Sequence, residues 1–176
     1  MSKGVQFLFK KNKIDQIVGF GKLKKGNKVE VTDAAGKKTD YDAKHIILAT
    51  GARVAPPGAF NVDGKVVVTY KEAIVADKLP ASAVIIGGGA IGCEFGTVWS
   101  AYGSKVTIIE MMPTLLPRED EELGTELAKQ FTRQGLGVKV GTKVDKVEKT
   151  AAGVKVTVTG PGGTEIIEAE QALVAI

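Results

Sequence analysis

The sequence predicts an α/β fold in which a parallel sheet is followed by a meander of short strands. Two continuously apolar runs, Ala83–Ile86 and Val106–Ile109, are typical of strands that a parallel sheet buries on both faces. A glycine turn and a helical pattern ending at Gly103 lie between these two runs. The order strand, glycine turn, helix, strand is a βαβ unit of about thirty residues.

The first 50 residues predict a hairpin and one further strand. Residues 3–12 place apolar side chains at both helical and strand spacing, so periodicity does not decide between helix and strand. Asp15–Leu23 and Lys28–Thr32 predict a hairpin around a glycine turn, and Ala34–Lys37 predicts the turn that follows. His45–Ala49 is apolar after its histidine, which predicts a buried strand.

The loop of residues 51–60 predicts a domain boundary. Its paired prolines, Pro56 and Pro57, exclude regular structure, and the strand predicted at Lys65–Thr69 completes the boundary. Residues 1–68 are therefore predicted as one domain and residues 69–176 as a second. Lysine and arginine outnumber acidic residues in the first 65 residues and not in the rest. No nucleic-acid motif accompanies this charge, so we interpret the lysines as the solvent side of the hairpin rather than a polyanion site.

The second domain is predicted to alternate helices and strands before its meander. Helices are expected at Tyr70–Ala76 and Glu119–Gln134, and the latter has Leu123, Leu127 and Phe131 at four-residue steps. The acidic run Glu119–Glu122 resembles a metal site, but we interpret it as a first helical turn, where the helix dipole favours acids. Short strands are predicted at Val138–Val140, Lys143–Lys149, Val154–Thr159, Thr164–Ala169 and Ala172–Ile176.

Composition excludes several kinds of site. One cysteine, Cys93, and one histidine, His45, cannot form an internal disulfide, a multi-cysteine metal site or a two-histidine cluster, so no metal is expected. We expect Cys93 to be a packed apolar residue rather than a nucleophile, and His45 to be an ordinary hydrogen-bonded histidine. The apolar runs are strand-sized and no segment resembles a signal peptide, which predicts a soluble, cytoplasmic protein.

The hexapeptide Gly87–Gly92 has the G-x-G-x-x-G spacing, with Gly88, Ala90 and Ile91 between its defining glycines. Gly87 is expected to make a tight turn, and Gly89 to let the backbone approach a pyrophosphate. Gly92 is expected to let the helix lie close to the strand. The N-terminus of the helix would supply free N–H groups and positive dipole to the phosphates.

Glu110 completes the dinucleotide fingerprint, because it lies eighteen positions after Gly92 at the end of the second strand. Its carboxylate is expected to accept the ribose hydroxyls and to repel a 2′-phosphate, which favours NAD over NADP. Arg118 is separated from it by a loop and is not expected to clamp such a phosphate. The sequence therefore predicts a Rossmann-like NAD-binding domain; the alternative is a glycine-rich turn in an unrelated sheet.

The stretches "KHIILATGARVAPPG", "VIIGGGAIGCEFGTVWSAYGSKVTIIE", "LPREDEELGTEL" and "QALVAI" together resemble the FAD-dependent pyridine nucleotide disulfide oxidoreductases, over nearly the whole chain. The resemblance implies FAD contacts at Thr50, Gly51 and Ala52. It also implies that Glu94 lies beside the nicotinamide and flavin, and that Val144 packs against the adenine of NAD. The small Ala90 suits the branch of the family that oxidises dihydrolipoamide.

The resemblance implies a longer enzyme than this chain. That enzyme would reoxidise dihydrolipoamide to lipoamide, passing electrons through a redox disulfide and FAD to NAD. Its partner would be the lipoyl group of 2-oxoacid dehydrogenase complexes; it would be a homodimer, in the mitochondrial matrix if eukaryotic. The first FAD glycine loop, the C-x4-C redox pair and the C-terminal catalytic His and Glu of the family are not in this sequence.

We therefore expect an NAD-binding domain preceded by a remnant of an FAD-binding domain, with no catalytic residue and no activity of its own. Three siblings within the family remain as alternatives: an NADH oxidase, a coenzyme A disulfide reductase and a soluble transhydrogenase. A self-contained nucleotide-sensing module is a further alternative.

Overall fold

The computed structural model describes residues 2–54 and 58–176, which form two compact units. The first unit ends at Ala52 and the second runs from Arg53 to Ile176. This division falls before the predicted boundary after residue 68, because Val67 and Val68 pair with the parallel sheet of the second unit. The paired prolines of the predicted boundary loop lie outside the described residues.

The first unit consists of one helix and a three-stranded antiparallel sheet. The helix α1 spans Lys3–Lys11, which settles the ambiguous periodicity of that segment. The strands follow in chain order as β1 (Phe20–Lys24), β2 (Lys28–Thr32) and β3 (Lys38–Asp42). The predicted hairpin and the turn after it are confirmed, although β1 begins later than Asp15.

The lysines of this sheet form ion pairs on an exposed surface. Lys24 lies 3.0 Å from Asp40 and 3.3 Å from Glu30, and Lys28 lies 3.1 Å from Asp42. The Lys24–Glu30 and Lys28–Asp42 pairs join neighbouring strands, and the Lys24–Asp40 pair joins the two outer strands. Strand β1 is exposed along its whole length. Lys22, Lys24 and Lys25 are exposed on this hairpin as predicted, whereas Lys10 and Lys11 belong to α1. The choice of a solvent-facing surface over a polyanion site stays a prediction.

The predicted buried strand His45–Ala49 is wrong. The segment has no regular structure, and Ile47 and Leu48 are 90% and 69% exposed. A continuous apolar run forms a buried strand only where a neighbouring strand accepts its hydrogen bonds. No strand of the described residues pairs with this segment.

The described part of the second unit contains two sheets, three α-helices and a short 3-10 helix at Gly58–Phe60. A five-stranded parallel sheet has the order β4-β11-β5-β6-β7, and a three-stranded antiparallel sheet has the order β10-β9-β8. The parallel strands are β4 (Val67–Val68), β5 (Ser82–Ile86), β6 (Lys105–Ile109), β7 (Gly137–Lys139) and β11 (Gln171–Val174). The antiparallel strands are β8 (Lys143–Thr150), β9 (Gly153–Gly160) and β10 (Gly163–Ala169). The helices are α2 (Tyr70–Ala73), α3 (Ala90–Ala101) and α4 (Glu121–Arg133).

Two separate cores pack against opposite faces of the parallel sheet. Because successive strand residues point to opposite faces, Ile85 lies in one core and its neighbour Val84 in the other. The first core includes Trp99 of α3 and Phe131 of α4, and the second includes Val156 of the antiparallel sheet. The unit therefore has three layers: helices, parallel sheet and antiparallel sheet. The predicted α/β fold with a meander is confirmed.

Helix α3 buries a different face from the apolar stripe that predicted it. That stripe consists of Ile91, Phe95, Val98 and Tyr102. Phe95 is partly buried against the first core, whereas Ile91, Val98 and Tyr102 are 43%, 49% and 76% exposed. The buried residues are Gly92, Cys93, Gly96 and Trp99. A Cβ added at Gly96 would lie only 2.8 Å from the Cδ1 atom of Ile108, so glycine is what lets the helix approach the sheet.

Helix α4 begins at Glu121 rather than at the predicted Glu119, with Glu121 and Glu122 in its first turn. That placement matches the interpretation of the acidic run as dipole-favoured residues. Its apolar repeat is unevenly buried, since Phe131 is buried whereas Leu123 is 58% exposed. Among the helices of residues 2–54 and 58–176, none has the length and apolar character needed to cross a membrane.

Candidate nucleotide-binding site

A cleft of about 840 Å³ opens at the carboxyl ends of β5, β6 and β11. Open α/β sheets bind their ligands at this edge. Six of the residues predicted for the NAD site line the cleft: Gly87, Gly89, Ala90, Ile91, Glu110 and Val144. Arg118 and Lys143 line it as well.

The three defining glycines occupy three different environments. Gly87 has φ 113°, a conformation that favours glycine, and its N–H donates to the Ile109 oxygen at 2.8 Å. A Cβ added at Gly89 would meet nothing within 4 Å, so this position faces open space. A Cβ added at Gly92 would overlap the carbonyl oxygen of Gly87. The turn at Gly87 and the close approach at Gly92 are as expected, and the role of Gly89 toward a pyrophosphate stays a prediction.

The peptide of Gly88 fixes the turn from both ends. Its N–H donates to Oε2 of Glu110 at 2.7 Å. Its carbonyl oxygen accepts from the Leu116 N–H at 2.8 Å and from the Cys93 thiol at 3.3 Å. The glycine turn is therefore held in place before any ligand arrives.

Glu110 is a buried carboxylate at the end of β6, only 8% exposed. Its Oε1 accepts from the Met112 N–H at 2.8 Å, while Oε2 accepts from Gly88. Its backbone N–H donates to the Lys139 oxygen of β7, and its carbonyl oxygen accepts from the N–H of Thr142, the residue before β8. Each oxygen accepts one of these two hydrogen bonds, and a carboxylate oxygen has capacity for another, so both remain able to accept the hydroxyl donors of a ribose. The ribose contact stays a prediction; sequence reasoning missed the hydrogen bond by which Glu110 braces the glycine turn.

Cys93 is a buried thiol beside the glycine turn. Burial raises its pKa to about 11, and the charges of Glu110 and Glu94 act in the same direction. A thiol with this pKa stays protonated near neutral pH and is a poor nucleophile. The expectation of a packed residue is confirmed.

The remaining predicted contacts are more scattered. Val144 is partly buried, lines the cleft and packs against the second core. Glu94 is exposed on α3 and is not among the residues that line the cleft. Thr50, Gly51 and Ala52 are exposed in the first unit, where Gly51 has φ 84°. An exposed turn does not enclose a flavin, so the FAD contacts stay a prediction.

The loop expected between Glu110 and Arg118 is present, but it does not carry Arg118 away from the site, because Arg118 lines the cleft. Leu115 is fully buried, and the Leu116 N–H bonds to the oxygen of Gly88. The Glu119 N–H donates to the Leu116 oxygen at 2.9 Å, which closes a turn around Arg118. The loop therefore folds back over the glycine turn. The apolar pair Leu115–Leu116 was the sequence signal for this return.

The cleft fits a dinucleotide. Gly89 leaves space where a pyrophosphate would approach the backbone, and α3 begins there without a side-chain cap. The buried Glu110 ends β6, the strand position from which dinucleotide-binding folds present an acidic side chain to a ribose. The donors and acceptors match the predicted NAD site in kind.

Comparisons with known proteins agree with this geometry. The sequence profile of the pyridine nucleotide-disulphide oxidoreductase family matches residues 1–176. Dihydrolipoyl dehydrogenase from Rhizobium etli is 39% identical over 192 residues, a match covering all of this chain and 40% of that protein. Mitochondrial dihydrolipoyl dehydrogenase from Pisum sativum is 36% identical, over 99% of this chain and 35% of that protein. This chain thus spans well under half the length of these relatives.

A solved structure shares the fold. The HOCl-induced flavoprotein disulfide reductase RclA from Escherichia coli has a TM-score of 0.69 and 26% identity. The match covers 97% of this chain and 40% of that one. The chain therefore belongs to the pyridine nucleotide-disulphide oxidoreductase family, whose cofactors are FAD and NAD.

Proposed function

We propose that the cleft binds NAD, and that the chain is the NAD-binding part of a longer flavoprotein that oxidises dihydrolipoamide. The observation behind the NAD site is the buried Glu110 carboxylate, which two backbone N–H groups fix at the cleft beside the glycine turn. The substrate is inferred from the curated relatives, which are named dihydrolipoyl dehydrogenase at 36% and 39% identity.

Each residue has a separate part in this proposal. The backbone of Gly87–Gly89 and the first N–H groups of α3 bind the diphosphate. Glu110 accepts the adenosine ribose hydroxyls, and Val144 packs against the adenine. NAD supplies the hydride acceptor, while the chain supplies orientation and an apolar wall. Glu94 is assigned to the nicotinamide end on the family resemblance alone.

The partners and compartment are part of the same proposal. The intact protein would act on the lipoyl group of 2-oxoacid dehydrogenase complexes and form a homodimer. It would work in the cytoplasm, or in the mitochondrial matrix of a eukaryote; one relative is named mitochondrial. The isolated chain is expected to bind NAD without turning over dihydrolipoamide.

Calorimetric titration of the chain with NADH and NADPH tests the NAD assignment. We expect tighter binding of NADH, because the Glu110 carboxylate accepts hydroxyl donors and repels a 2′-phosphate. The Glu110→Ala variant should bind NADH at least about tenfold more weakly, since a hydrogen bond to a charged group contributes ~1.5–3 kcal/mol. Its melting temperature should also fall, because the Gly88 and Met112 N–H groups lose their acceptor.

The matched control is Glu121→Ala, which removes an exposed glutamate from the first turn of α4. This variant should bind NADH like the parent chain. Equal affinity for NADH and NADPH in the parent, or unchanged NADH affinity in Glu110→Ala, would refute the role of Glu110.

A related disulfide reductase is the second candidate, favoured by the structural likeness to RclA. The same cleft would serve it, so the redox centre of the intact protein must decide. Two cysteines at C-x4-C spacing, together with NAD-dependent oxidation of dihydrolipoamide by the full-length protein, would support the first proposal. A single cysteine there would exclude it. A protein that binds NADH and ends with this segment would favour the nucleotide-sensing alternative.

A further inference from the structure

We propose that Arg118 binds a phosphate group of the dinucleotide in the cleft. This inference rests on the proposed function, since it needs a dinucleotide in that cleft. It adds a residue outside the glycine fingerprint, on the turn Leu116–Glu119.

The position of Arg118 follows from backbone hydrogen bonds. The Leu116 N–H is bonded at 2.8 Å to the carbonyl oxygen of Gly88, inside the glycine turn. The Glu119 N–H is bonded at 2.9 Å to the Leu116 oxygen, so the turn containing Arg118 is closed. Leu115 beneath it is fully buried and packs close to Gly88. Arg118 is thus held at the cleft by a turn that is attached to the phosphate-binding loop.

The charges around the cleft leave this guanidinium available. Arg118 and Lys143 are the two cationic side chains that line it. Lys143 lies 3.3 Å from Asp145, which partly neutralises it. No acidic side chain of the described residues forms an ion pair with Arg118, Glu110 included. Arg118 therefore lies at the cleft without a protein counter-ion among those residues.

The chemistry of guanidinium selects a phosphate. Its planar donors match two phosphate oxygens at once, and the group stays charged throughout the physiological range. NAD and NADP share a bridging diphosphate, and NADP alone has a 2′-phosphate. Either group could be the partner, and the two ligands together distinguish them.

The experiment is titration of NADH and NADPH into the parent chain, Arg118→Gln and Arg118→Lys, with thermal melts of each. Arg118 is exposed and outside the regular elements, so Arg118→Gln should fold like the parent. Arg133→Gln is the matched control, because it removes the same charge from α4, away from the cleft. Loss of one charge-assisted bond predicts about tenfold weaker binding for Arg118→Gln, partly restored in Arg118→Lys.

The possible results of these titrations distinguish the two phosphate groups and the two proposals. Equal weakening of NADH and NADPH supports the proposal with the diphosphate as partner, and weakening of NADPH alone supports it with the 2′-phosphate. Unchanged affinity for both ligands in Arg118→Gln overturns the inference while leaving the NAD site standing. A parent chain that binds neither ligand overturns the proposed function and this inference together.

Discussion

Gly89 and Gly92 belong to one hexapeptide, yet their surroundings are opposite. Gly89 faces open space at the cleft, with φ −73° that any residue adopts. Gly92 is buried, and a Cβ there would overlap the backbone of Gly87. A substitution at Gly89 should therefore weaken ligand binding, and a substitution at Gly92 should lower the stability of the fold.

We predict that Gly89→Val abolishes NADH binding and leaves the melting temperature nearly unchanged. The branched side chain would occupy the space that the pyrophosphate needs, and its Cβ would meet no protein atom within 4 Å. Gly92→Val should lower the free energy of unfolding by at least the ~1–3 kcal/mol typical of overpacking, because α3 must move off β5. Ligand-free thermal melts and NADH titrations of both variants check this.

Gly162→Val is a control for the substitution itself, since a Cβ at Gly162 also meets nothing within 4 Å and Gly162 lies outside the cleft. It should change NADH binding little. Normal NADH affinity in Gly89→Val would mean that the glycine turn does not face the pyrophosphate.

The residues of the site differ in how far sequence could predict them. The glycines and Glu110 were predictable, because their roles depend on spacing within one βαβ unit. Arg118 was not predictable, because its position depends on the hydrogen bond from the Leu116 N–H to the Gly88 oxygen. The hydrogen bond from the Gly88 N–H to Glu110 was missed for the same reason, because it joins residues at the ends of two different strands.

At the scale of elements, an apolar run shows that a segment is suited to burial, but it does not show that the segment is buried. Ala83–Ile86 and His45–Ala49 have similar patterns, and only the first has neighbours, β6 and β11. Helix α3 shows a second limit of predictions from apolar patterns. Its apolar stripe correctly predicted a helix, but Gly92 and Gly96 determine which face meets the sheet, because close approach requires small residues.

The side chain of Asp63 accepts backbone hydrogen bonds at the beginning of strand β4. Its Oδ1 accepts the N–H groups of Lys65, Val66 and Val67 at 2.9–3.0 Å, just where β4 begins. Its Oδ2 lies 3.2 Å from Lys149 of β8. Partial burial alone would raise the pKa of Asp63, but these donors hold it well below its usual range. The charged form is therefore stabilised by folding.

We predict that Asp63→Asn lowers the free energy of unfolding at pH 7 by about 1–3 kcal/mol, because bonds to a charged acceptor are lost. Since folding depresses the pKa of Asp63, its contribution is present above the unfolded pKa of about 3.9 and is lost as pH falls below it. The parent chain should lose this stability in acid and the variant should not. Denaturant melts between neutral and acidic pH measure the difference.

Asp33→Asn is the matched control for this comparison. Asp33 also accepts two backbone N–H groups, at 2.9 Å each, but it lies in the first unit. It should leave the unfolding of the second unit unchanged. Parallel pH dependence of the parent and Asp63→Asn would show that another group accounts for the acid sensitivity.

At the scale of the whole molecule, burial is confined to the second unit. Every buried hydrophobic residue of the described chain lies between Val67 and Val174. The first unit has ion-paired strands and exposed apolar side chains such as Phe7, Phe20 and Ile47, which are 64%, 77% and 90% exposed. Because burial of apolar area is the main stabilising contribution to folding, the second unit should determine the stability of the chain.

We predict that a variant lacking residues 1–52 folds and binds NADH like the full chain. The cleft, the glycine turn, Glu110 and both cores all lie within Arg53–Ile176, so deletion removes no buried side chain of the described residues. Melting temperature by circular dichroism and NADH affinity by calorimetry should both match the full chain. In the full chain, amide exchange should be faster in β1–β3 than in β5 and β6, because exposed strands open at lower free energy. Loss of the cooperative melt in the shortened variant would show that the first unit supports the site. NADH binding weakened more than about tenfold, which is ~1.4 kcal/mol, would show the same.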